Sequence, residues 1–124
     1  MLLIKYSIPF TLPGCNNYVD ACRTHRRAGG AFKKKVEKSI RDALIPQKII
    51  PPPCYPVKVM FVWKEKNLRR DVDNVAFDKK FVLDALVDVG ALEDDRRKFV
   101  SGFVDDFPKP NKKDIGVDIY IRSE

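Results

Sequence analysis

Pro46 and the run Pro51-Pro52-Pro53 limit what this chain can fold into more than any other feature. Proline fixes φ and lacks an N–H, so the run is a stiff extended spacer that cannot join a central sheet, and Pro46 ends any helix that reaches it. From Ala31 to about Ile45, Phe32, Val36, Ile40, Ala43 and Leu44 recur on one helical face, while Lys33, Lys34, Lys35, Lys38 and Arg41 mostly face away. Beyond the spacer the period changes. Over Tyr55 to Trp63, Val57, Val59, Phe61 and Trp63 alternate with Lys58, Met60 and Val62, the pattern of a half-buried strand.

The flanking segments complete the outline. Leu2 to Phe10 is rich in β-branched and aromatic residues and meets a turn at Thr11-Leu12-Pro13-Gly14, so it reads as a strand. Asn16-Asn17-Tyr18 opens a polar segment with room for a short helix before Ala28-Gly29-Gly30 breaks it. A second main helix is expected from about Asn74 to Val89, capped by Asp73 or Asn74 and terminated by Gly90 in the left-handed conformation. Lys98 to Phe107 and Ile115 to Arg122 read as strands joined by Pro108-Lys109-Pro110-Asn111. The expectation is one α+β domain over residues 1–124, with a mixed sheet of about four strands packed with two main helices.

Composition bounds the function. A hydrophobic share of 44% with mixed charge is globular rather than disordered. The formal charge of +7 favours a polyanionic partner, because each phosphate neutralised by Lys or Arg releases counterions. An odd count of cysteines (Cys15, Cys22, Cys54) and an opening apolar run cut short by Lys5 point to the cytoplasm of a cell, and no stretch is long enough to span a membrane. Only Cys22 and His25 have zinc-ligand spacing, so idle thiols are the default reading.

Against this basic background the acids stand out. Arg69-Arg70-Asp71-Val72-Asp73-Asn74 opens the second main helix, and Asp94-Asp95 follows its end. Gathered carboxylates repel unless a cation sits between them, so the pattern suggests a divalent metal held against a nucleic-acid backbone. Mg²⁺ prefers oxygen ligands and keeps several waters, so Asp71, Asp73 and Asp95 would suffice as its protein ligands. Solvated turns or helix caps are the competing reading for Asp-rich segments, and the missing glycine and distal glutamate make a Ca²⁺ hand loop a weaker one. Arg69 and Arg70 are placed to grip phosphate beside the metal. At about 100° per residue, Val75, Val82, Leu83, Leu86 and Val89 form the buried stripe, and Lys79 falls inside it. Its stem either packs while the ammonium reaches water, or Lys79 or Lys80 offsets charge on a scissile phosphate.

These residues resemble a known family. Asp71-Val72-Asp73-Asn74, then Lys80-Phe81-Val82-Leu83-Asp84-Ala85-Leu86, then Gly90-Ala91-Leu92-Glu93-Asp94-Asp95, together with Pro13-Gly14-Cys15-Asn16-Asn17, are similar in order and spacing to the RusA family of Holliday junction resolvases of phages and prophages. The resemblance implies a RusA-like fold and a homodimeric, Mg²⁺-dependent endonuclease, with Mn²⁺ as a substitute, that nicks a four-way DNA junction symmetrically in recombination and repair. It implies Asp71, Asp73 and Asp95 as metal ligands and catalytic acids, with Asn74 beside them. Lys80 would be the functional lysine, because the residues after it match the family in order. The segment between Asn74 and Lys80 is three residues longer than the family pattern, which keeps Lys79 as the alternative.

Two active sites sharing the junction's symmetry would explain a homodimer, with Ile45 to Val57 and Phe99 to Phe107 as candidate interfaces. Arg69, Arg70, Asn74, Lys79, Asn16, Asn17, Lys33 and Lys34 are the candidate DNA contacts, with no organic cofactor and no membrane partner expected. Two other functions remain open at this point. One is a DNA-binding recombination-accessory module that does not cut, and the other is a nuclease of broader branched-DNA taste.

Overall fold

The computed structural model describes residues 3–123. Strand β1 (Leu3–Ile8) leads through the Pro13 turn into α1 (Gly14–Thr24) and α2 (Ala28–Leu44). The proline-rich spacer then delivers β2 (Val57–Lys64), followed by α3 (Val72–Ala76), α4 (Lys79–Asp88), β3 (Val100–Asp106) and β4 (Gly116–Ser123). The sheet order is β1-β4-β2-β3, with β4 antiparallel to both neighbours and β3 parallel to β2. A parallel pair needs a crossover, and α3 with α4 supplies it. This is the expected α+β domain with a four-stranded mixed sheet.

The period-2 pattern fixes which face is covered. Ile4, Tyr6 and Ile8 of β1, Val57, Val59, Phe61 and Trp63 of β2, and Val117, Ile119 and Ile121 of β4 are all buried. They form one core with Ile40 and Leu44 of α2 and Phe81, Val82, Leu83 and Leu86 of α4. Each such side chain contributes roughly 1.5–3 kcal/mol on burial. The core therefore sits between the sheet and the α2 and α4 helices.

Several local expectations are corrected. The polar segment after Pro13 forms a full helix, and the following helix begins at Ala28, so Gly29 and Gly30 lie inside it. Close packing accounts for Gly29: a Cβ there would lie 2.5 Å from the Cys22 sulfur of α1. The helix expected over Asn74 to Val89 is interrupted at Phe77 and Asp78, and its N-cap is Asp71, with no side-chain capping bond, rather than Asp73 or Asn74. Gly90 does end α4 with φ +83°. β1 spans Leu3–Ile8 and β3 spans Val100–Asp106, each shorter than expected, while Leu2 lies outside the described residues. Among the described residues no helix is long and apolar enough to cross a membrane.

Candidate functional site

Two segments 58 to 64 positions apart in sequence meet where β1 enters α1. The Gly14 N–H donates to both carboxylate oxygens of Asp78, at 3.1 and 2.9 Å, and the Asn16 N–H donates to Asn74 Oδ1 at 2.8 Å. Arg70 adds a third tie, giving Nη1 to the Leu12 carbonyl at 2.8 Å. The fit is close: Gly14 has φ +86°, and a Cβ there would meet Arg70 Nη1 and Asn74 Oδ1 at 2.9 Å. Pro13-Gly14-Cys15-Asn16-Asn17 is thus fastened to the acidic segment by its own backbone.

Asp78 is completely buried, and burial is the main reason its carboxyl is raised to about 7, against the lowering influence of the Gly14 N–H and the Arg70 charge. The sequence reading passed over it. A signal was present, because Asp78 stands three residues after Val75 and four before Val82, on the apolar side of that segment.

Arg70 is largely committed to the protein. Its Nε and Nη2 form a two-pronged pair with Glu65 at 2.7 and 2.8 Å, so Arg70 holds the cleft wall rather than presenting a free guanidinium. Arg69 is exposed. With Asn17, Pro13, Lys66 and Asn67 it lines an open cleft of about 390 Å³ at the C-terminal end of β2.

Lys79 is likewise engaged, since its ammonium lies 2.7 Å from Asp105 and over the Phe103 and Phe61 rings at 4.8 and 5.6 Å. Asp105 also accepts from Trp63 Nε1 at 2.9 Å. Lys79 therefore ties α4 to the sheet, which explains a lysine on the apolar stripe.

Lys80 occupies the opposite situation. It is exposed, with Nζ 3.1 Å from Asp84 and 3.3 Å from Asp95. The hydrogen bond Lys80 donates to Asp84, and behind it Asp95, raises its pKa above the ordinary lysine value, so it stays cationic at neutral pH. Lys33 reaches across from α2 to Asp84 at 3.4 Å and Glu37 at 3.9 Å. Burial, with the Asp84 carboxyl beside it, raises the Glu37 pKa. Asp94 turns away to Arg96, and the Asp95 N–H, first, with Arg96 holds the Asp94 carboxyl below its usual range.

The structure thus joins Asp95 to Lys80, and it places Asp71 at the N-cap and Asp73 in the first turn of α3. Among the described residues, no three His, Cys, Asp or Glu side chains are gathered as a metal cage. The Lys80 ammonium serves as counterion to Asp95. Asp71 and Asp73 are exposed, and their carboxylate oxygens, like those of Asp95, are the donor type that hard divalent ions take. Cys15, Cys22 and Cys54 are free thiols. No protein-family model matches the chain, and no curated protein matches it significantly.

Proposed function

We propose that the chain is a metal-dependent endodeoxyribonuclease of the RusA type, acting on four-way DNA junctions. The observation that carries this reading is the lock between Pro13–Asn17 and Asp71–Asp78, which unites the two segments of the resemblance beside an open, partly basic cleft lined by Pro13, Asn17, Arg69 and Arg70. Asp71, Asp73 and Asp95 are the residues that would hold Mg²⁺, which when bound would activate water and neutralise phosphate charge. Arg69 and Asn17 bind the phosphate backbone at the cleft. Asn74 fixes the approach of Asn16. Lys80, kept protonated by Asp84, offsets charge on the reacting phosphate. A homodimer would give the paired nicks, and bacterial or phage-infected cytoplasm would be its setting.

One observation favours a second reading, a recombination-accessory module that binds without cutting: Asp95 already has a counterion in Lys80. Incubation with an end-labelled four-way junction and Mg²⁺ separates the two. The nuclease reading expects paired nicks from wild type, with Asp73→Asn keeping junction affinity and losing nicking. Binding without any nick across Mg²⁺ and Mn²⁺ concentrations overturns it. Equal cutting of flaps and forks would shift the substrate to branched DNA in general.

A further inference from the structure

The basic run of α2 is divided by the fold. Lys33 is turned onto Asp84 and Glu37, and Lys38 onto Asp42 at 2.8 Å. Arg26, Arg27 and Lys34 are different: they line an open cleft of about 410 Å³ with Gly30 and Ala31, at the junction of α1 and α2. All three are exposed, and among the described residues none has a side-chain ion pair or hydrogen bond. Three cations sharing one cleft repel one another, a cost that an anion would relieve.

We infer that this cleft is a seat for a nucleic-acid backbone phosphate. Its walls contain no aromatic or branched aliphatic side chain to anchor a peptide, so recognition there rests on charge. Two arginines and a lysine around one opening suit the oxygens of a phosphodiester. The net charge of +7 adds attraction to a long polyanion over a small one.

The position extends the nuclease reading and, to that extent, rests on it. Asn17, near the start of α1, lines the cleft beside Arg69, while Arg26 and Arg27 follow the end of the same helix. An 11-residue helix is about 16 Å long. At about 3.4 Å per step of one strand, the second seat lies roughly four to five nucleotides from the first. It would grip a junction arm away from the nick, and Lys33 would take no part.

Gly30 offers a clean test, because a Cβ there meets nothing within 4 Å and Glu favours a helix interior more than Gly does. Gly30→Glu places a carboxylate among the three cations without disturbing the core. Its control, Lys48→Gln, makes the same change in net charge on an exposed residue elsewhere. Binding of a short labelled duplex is measured in EDTA over a range of salt, and junction nicking is measured separately with Mg²⁺.

Gly30→Glu and Arg26→Gln/Arg27→Gln should weaken duplex binding about tenfold or more at low salt, with the log–log salt slope reduced by about one per lost phosphate contact. Lys48→Gln should retain wild-type affinity to within about twofold. Unchanged affinity and slope in both cleft variants overturn the seat, and if wild type still nicks junctions the nuclease reading survives. Weakened cleft variants without nicking by wild type uphold the seat and sink the nuclease. Competition by an acidic peptide as strong as that by duplex DNA also overturns the seat. Failure of wild type to bind any DNA overturns both.

Discussion

Gly14 and Asp95 both contact the α3–α4 segment, and they are held there differently. Gly14 is buried, bonded through its N–H to an Asp78 carboxylate that solvent does not reach. Asp95 is held by Lys80, a side chain 59% exposed, in an ion pair open to water and salt. Buried polar contacts are costly to leave half made, whereas exposed pairs contribute little and rearrange readily. The entrance to α1 is therefore a fixed wall, and the Lys80–Asp95 side is the part free to adjust when an ion or phosphate arrives.

The sharpest way to break that contrast is to titrate Asp78. Its folded-state pKa of about 7 lies above the ordinary 3.8, so the folded protein holds the proton more tightly than the unfolded chain. The stability that proton supplies is fully present below about pH 4 and is lost as pH rises toward 7. Relative to Asp78→Asn, wild type should lose up to roughly 4 kcal/mol between pH 4 and pH 8, read from urea unfolding at each pH. A constant difference across that range would mean that Asp78 is not a buried acid.

Gly14→Ala comes next. The positive φ and the approach to Arg70 and Asn74 should cost about 2 kcal/mol and lower the unfolding midpoint, and an unchanged midpoint would mean the α1 entrance is loose. Arg70→Lys loses the two-pronged bond to Glu65 and should cost about 1–2 kcal/mol. Under the same unfolding assay, no cost would return Arg70 to the pool of free phosphate-binding cations.

Lys80→Gln tests the other side, because it removes the exposed counterion of Asp95. Its effect on stability should be within about 0.5 kcal/mol and should shrink as salt is added. A loss as large as that of Arg70→Lys would make the two regions alike.

The strands were the most legible part of the sequence. Val57, Val59, Phe61 and Trp63 declare a buried face through alternation alone, and the structure buries all four. Helix boundaries were harder, because they answer to distant partners. The glycine pair read as a break lies within α2, where the Cys22 sulfur leaves no room for a side chain at residue 29. The apolar stripe after Asp73 gave no sign of the interruption at Phe77 and Asp78, which coincides with a hydrogen bond to a residue 64 positions earlier.

The candidate site was legible as a set of residue types and less so as an arrangement. Spacing alone could not distinguish Lys79 from Lys80, yet their partners do: one faces Asp105 and two aromatic rings, the other Asp84 and Asp95. Nor did the sequence tell Arg70, tied to Glu65, from the exposed Arg69. Side-chain pairing across the fold is a long-range property that no local pattern encodes.

Mn²⁺ titration of the ¹⁵N-labelled protein, followed through paramagnetic broadening of its amide signals, tests whether the three acids share one ion. Asp71, Asp73 and Asp95 should broaden together at substoichiometric metal, with Asp73→Asn abolishing the effect at all three. Broadening confined to residues 94–95, or to residues 71–73, would contradict it, because those acids would then not share an ion.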